Sequence, residues 1–153
     1  MQTSHLRTLS SLTAALVLSA AAAIPAFAQD AAYRAQLDRQ LEAARGLFAN
    51  QNIEVAAGPF FGSLEEDGRD TYTLQVRGGK KYYVVGVCDT DCTDLDIRLL
   101  NAQGTVLAQD QLEDGAPLVE LVPSISGSIR IEVTMFKCSS EPCFFAVEAY
   151  QGR

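Results

Sequence analysis

The chain has no tryptophan, only two methionines and a single histidine, His5, in 153 residues. Lacking tryptophan, it has no indole platform for stacking on a sugar ring. Histidine is absent after position 5, so any activity of the rest of the chain runs without serine–histidine or cysteine–histidine pairing. Base is also scarce: 12 lysines and arginines stand against 19 aspartates and glutamates. An acidic surface repels phosphate backbones and anionic lipid, which argues against nucleic acid as a partner. After residue 28 no apolar run reaches the ~20 residues that span a bilayer, so membrane insertion is not expected. We find no repeat and no low-complexity tract.

The first 28 residues read as a secretory signal peptide. His5 and Arg7 precede an apolar run from Leu9 to Ile24, followed by Pro25 and a small-x-small cleavage site at Ala26-Phe27-Ala28. Cleavage before Gln29 removes one base, Arg7, and no acid. The exported chain then carries 11 bases and 19 acids, a net charge of −8. The expected location is the periplasm or the medium.

Four cysteines in an exported domain are expected to form two disulfides, and four allow three connectivities. Short loops favour the local pairs Cys88–Cys92 and Cys138–Cys143, each contributing about 2 kcal/mol by loop closure. A four-thiolate zinc site is the rival, disfavoured by an oxidising compartment.

Residues 29–52 read as a helix and linker. Asp30 is a candidate N-cap, and Tyr33, Leu37, Leu41, Ala44 and Phe48 form one stripe. Arg34 and Asp38 are spaced for an i,i+4 ion pair. The stripe is too short for a coiled coil, and packing of this helix on its own domain, in a monomer, is expected. From residue 53 to 153 the period changes to two. Segments 53–57, 60–64, 71–77, 81–88, 95–99, 105–108, 118–122, 128–135 and 144–150 give about eight strands, an all-β antiparallel sandwich behind one N-terminal α-helix. The segment 81–88 is apolar on both faces, as a central strand requires.

Gly62-Ser63-Leu64, Asp70-Thr71-Tyr72-Thr73-Leu74 and Gly79-Lys80-Lys81-Tyr82 resemble the first half of a bacterial pre-peptidase C-terminal domain. Asp94-Leu95-Asp96-Ile97-Arg98-Leu99, Gly104 and Gly127-Ser128-Ile129-Arg130-Ile131-Glu132-Val133 resemble its second half. The likeness covers roughly residues 59–136 and implies a jelly-roll-like sandwich of the kind appended to secreted peptidases. Here no catalytic domain accompanies it, so a peptidase activity does not follow.

Asp89, Asp91, Asp94 and Asp96 supply four hard oxygen ligands in eight residues, chemistry that suits calcium. The glycine and terminal glutamate of an EF-hand are missing. The competing reading is that these aspartates cap turn N–H groups at strand ends. No certain cofactor follows. The expected function is a non-catalytic binding or accessory module with a protein or polysaccharide ligand. The alternatives are calcium-dependent adhesion to carbohydrate or matrix, in which one ring of Phe60-Phe61 or Phe144-Phe145 could be exposed, and a small carboxylate-based hydrolase.

Overall fold

The structure is a computed structural model and describes residues 26–152; the predicted signal peptide lies outside the described residues up to position 25. One helix, α1 (Ala26–Ala49), precedes eight strands: β1 (Ile53–Leu64), β2 (Arg69–Val76), β3 (Tyr82–Cys88), β4 (Cys92–Leu100), β5 (Val106–Asp110), β6 (Leu118–Leu121), β7 (Gly127–Cys138) and β8 (Cys143–Gly152). They form two four-stranded antiparallel sheets, ordered β1-β8-β3-β6 and β2-β7-β4-β5. The architecture is an all-β, jelly-roll-like sandwich with one helix.

Alternation decides which side chains meet between the sheets. Leu95, Ile97 and Leu99 of β4 and Ile131, Val133 and Met135 of β7 are fully buried against Val84 of β3 and Phe145, Val147 and Ala149 of β8. A fully buried aliphatic side chain contributes ~1.5–3 kcal/mol.

The second face of β3 and β8 is largely apolar, and the helix covers it. Leu37 and Leu41 pack on Val87 and Ala146, with Phe61, Val85 and Phe144 around them. Tyr33 stacks on Phe144 at 4.5 Å between centroids, and Phe48 lies 4.4 Å from Tyr150. The protein is therefore three layers deep on this side, with the predicted stripe facing the sheet.

Three expectations are corrected. Segments 53–57 and 60–64 are one strand, β1, bent by register shifts on either side of Ala57. Gly58 sits within that bend at φ 96°, a backbone conformation that needs glycine. Asp30 lies inside α1, whose first residue is Ala26; cleavage before Gln29 would return it to the first turn. Arg34 does not pair with Asp38: its guanidinium lies 4.3 Å from the centroid of the Phe61 ring, a cation–π contact that draws it onto the sheet.

Candidate binding groove and acidic end

In an antiparallel sandwich alternate connections fall at opposite ends. The loops 65–68, 89–91, 111–117 and 139–142 share one end, and the connections 50–52, 77–81, 101–105 and 122–126 share the other. Charge is segregated between them. The first four loops contain only acidic ionisable residues; among the second four, Arg77, Lys80 and Lys81 are the only charged residues.

The acidic end is a tightly bonded lattice. Glu66 accepts from Cys138 N (3.2 Å), and its own N–H donates to Glu141 (2.8 Å). Ser139 donates through N–H and hydroxyl to the Asp91 carbonyl at 2.8 and 2.9 Å. Both disulfides lie here, Cys88–Cys92 and Cys138–Cys143, with S–S distances of 2.03 and 2.11 Å. A Cβ added at Gly115 would stand 2.8 Å from Cys88 Sγ, so the 111–117 loop is docked hard against the first disulfide.

The four aspartates predicted as calcium ligands do not converge. Among the described residues no group of three or more His, Cys, Asp or Glu is placed to hold one metal ion. Asp89 is buried and committed: Oδ1 accepts from the N–H groups of Asp91 (3.2 Å) and Cys92 (3.1 Å), and Oδ2 from Phe144 N–H (2.8 Å). That is the turn-capping use of aspartate, extended to tie β8 to the β3–β4 turn. Asp91 contributes its carbonyl to Ser139. Asp94 and Asp96 lie on the outer face of β4 beneath the 111–117 loop.

Asp94 is 3% exposed, and its Oδ1 has no hydrogen-bond partner. Burial and then the neighbouring Asp96 push its carboxyl up, only partly opposed by Lys137. Asp96 is also pushed up by burial and by Asp110, against a hydrogen bond from Gln111 at 3.4 Å.

At the opposite end the surface opens. A groove of about 460 Å³ runs between the 101–103 turn and the 122–128 segment. Leu107, Val122 and Ile125 give it exposed apolar walls, Ile125 being 78% exposed. Asn101, Gln103 and Ser124 set amides and a hydroxyl along the rim. The turn bearing Arg77 and Lys80 is bound to one wall: Gly79 N donates to the Pro123 carbonyl (2.8 Å) and Gly78 N to Ser126 Oγ (2.9 Å). Lys81 is held by Glu120 at 2.6 Å. The arrangement can seat an apolar group beside neutral hydrogen-bonding groups, with the exposed Arg77 and Lys80 on the turn behind one wall. Sequence reading missed this groove, because its walls come from two loops far apart in the chain; the signal available was Ile125, a bare β-branched residue between two serines.

The aromatic pairs weighed as sugar platforms are engaged elsewhere. Phe61 and Phe144 lie under α1, and Phe60 stacks on Tyr72 at 4.7 Å. Phe136, 48% exposed, is an aromatic ring open to solvent.

The chain matches no family model and no curated protein. Its fold is similar to parts of solved structures. An acetyl xylan esterase from the rumen bacterium Butyrivibrio proteoclasticus is 13% identical over 67% of this chain at TM-score 0.38, and this chain spans 29% of that protein. A structure of infectious bursal disease virus, Gt strain, is 13% identical over 66% of this chain and 32% of its own, at TM-score 0.36. A family 6 carbohydrate-binding module from Clostridium cellulolyticum, in complex with xylose, is 14% identical over 66% of this chain and 96% of its own, at TM-score 0.34. All three scores lie below 0.5, and no functional reading rests on these likenesses.

Proposed function

We propose that this chain is an exported, non-catalytic binding module that takes its ligand in the groove at the basic end of the sandwich. The observation that carries the reading is the groove itself: an apolar seat walled by the exposed Leu107, Val122 and Ile125, beside the turn of Arg77 and Lys80 on an acidic protein. Export is supported by the N-terminal signal pattern and two disulfides; among the described residues no helix is long and apolar enough to cross a membrane. Against a hydrolytic role stands the chemistry of the remaining groups. All four cysteines are oxidised, Asp89 is fully used in capping, and the open groove has amides and hydroxyls rather than a facing pair of carboxylates.

The ligand class follows from the walls and the adjoining basic turn: an apolar group flanked by negative or neutral polar groups. Calorimetry of the exported protein against panels of polysaccharides and acidic peptides, with the products assayed for hydrolysis, tests the proposal. Heat of binding that Ile125→Asp abolishes, without turnover, supports it. Turnover of any panel member, or binding indifferent to Ile125→Asp, rejects it.

A further inference from the structure

We propose that the 111–115 loop of one copy seats in the end groove of a second, so that copies stack head to tail along the strand direction. The inference rests on reading the groove as the ligand seat and names its occupant. Leu112 is 67% exposed at the acidic end and is followed by Glu113, which pairs with Lys137 at 3.6 Å, and by Asp114. Its loop is held out by the Cys88–Cys92 disulfide against Gly115 and by the Leu95 N–H bond to the Asp114 carbonyl (2.9 Å). An exposed apolar side chain on a loop whose ionisable residues are all acidic is the complement of an apolar groove that adjoins the turn of Arg77 and Lys80.

Position makes the complement usable. The 111–117 loop joins β5 to β6 at one end of the sandwich. The groove lies at the other end of the same margin, between the turn that leads into β5 and the segment that follows β6. Moving a copy along its strands therefore carries its acidic Leu112 loop toward the next copy's groove and toward the end that bears Arg77, Lys80 and Lys81. The two surfaces differ, so the contact is heterologous, and repeated by translation along the strands it builds open chains. One loop in one groove is a small interface, below the ~1,200 Å² of stable complexes, so association belongs to high protein concentration.

Sedimentation velocity of the exported protein, from micromolar to millimolar, tests this. The wild type is expected to show a sedimentation coefficient that rises with concentration. Leu112→Asp retains the groove but not the loop's apolar tip, and Ile125→Asp the reverse; each alone is expected to stay monomeric. Their mixture keeps one intact contact and is expected to give a dimer and nothing larger. Both side chains are exposed, so folding is unaffected, which circular dichroism checks. A wild type that stays monomeric at millimolar concentration, single variants that associate like the wild type, or a mixture without dimer overturns the proposal. If the wild type is monomeric while a panel ligand still binds in a manner sensitive to Ile125→Asp, self-association alone falls and the groove reading stands.

Discussion

Arg45 and Glu148, 103 residues apart, meet as a two-pronged ion pair: Nε and Nη2 of the arginine lie 2.8 and 2.7 Å from the two carboxylate oxygens. Glu148 is 1% exposed, on the face of β8 beneath α1, and also accepts the Tyr150 hydroxyl at 2.5 Å. A charge buried there is tolerable only because the helix brings its counter-ion. The pair thus fixes how α1 sits on the sandwich, since a one-residue slip would leave the carboxylate without its partner.

Arg45→Ala is expected to destabilise the fold by about 3 kcal/mol, the low end of the range for breaking a buried pair because the arginine itself is partly exposed. Urea unfolding reads this. Glu148→Gln in the same background should recover part of the loss, since it removes the uncompensated charge.

A chain beginning at Ile53 exposes Phe144, Ala146, Val85 and Val87 together, and strands Glu148. It is expected to associate or to unfold well below the full protein, as seen by light scattering and thermal denaturation. Within the intact chain, Leu41→Ala should cost about 2–5 kcal/mol, as for other fully buried leucines.

The Asp94 carboxyl is held up by burial and by Asp96, with Glu113 and Asp114 adding to this and Lys137 opposing it. Raised in the folded state, it favours folding most when protonated, below its unfolded value of ~3.9, and that contribution is lost as pH rises through the folded value. Asp94→Asn is therefore expected to raise the melting temperature at pH 7, with the advantage over the wild type vanishing below about pH 4. A lower melting temperature for the variant at pH 7 would mean that the carboxylate is stabilised in the fold.

Non-reducing peptide mapping should recover Cys88–Cys92 and Cys138–Cys143 peptides. Each short loop contributes about 2 kcal/mol, so reduction is expected to leave the sandwich folded. Amide exchange should rise first in residues 111–116, because that loop leans on the Cys88 sulfur.

How far these features could be read from the chain depends on the range of the interaction involved. Alternation and short apolar runs located the eight strands, with β1 read as two segments, and the run 81–88, apolar on both faces, marked a central strand; the docked Tyr33–Phe48 stripe is what its second face meets. The segments resembling a pre-peptidase C-terminal domain fall on the end of β1, on β2, on the turn into β3, on β4 and on β7. The Arg45–Glu148 pair was not readable: Glu148 is one acid among 19, and only the docked helix makes it buried. The aspartates weighed as calcium ligands differ in direction, which spacing alone does not show. Spacing places the four aspartates close along the chain, but Asp89 turns inward to serve three N–H groups while Asp94 and Asp96 lie under a different loop. The segregation of charge needed only the antiparallel order, which assigns alternate loops to alternate ends.

Backbone amide NMR of the exported protein, titrated with the polysaccharide and acidic-peptide panels, tests the binding reading most directly. Shifts confined to residues 101–107 and 122–128 and to the Arg77–Lys80 turn, with the added compounds unchanged, are the predicted result. Shifts centred on Asp94 and Asp96, or cleavage of a panel compound during the titration, would contradict it.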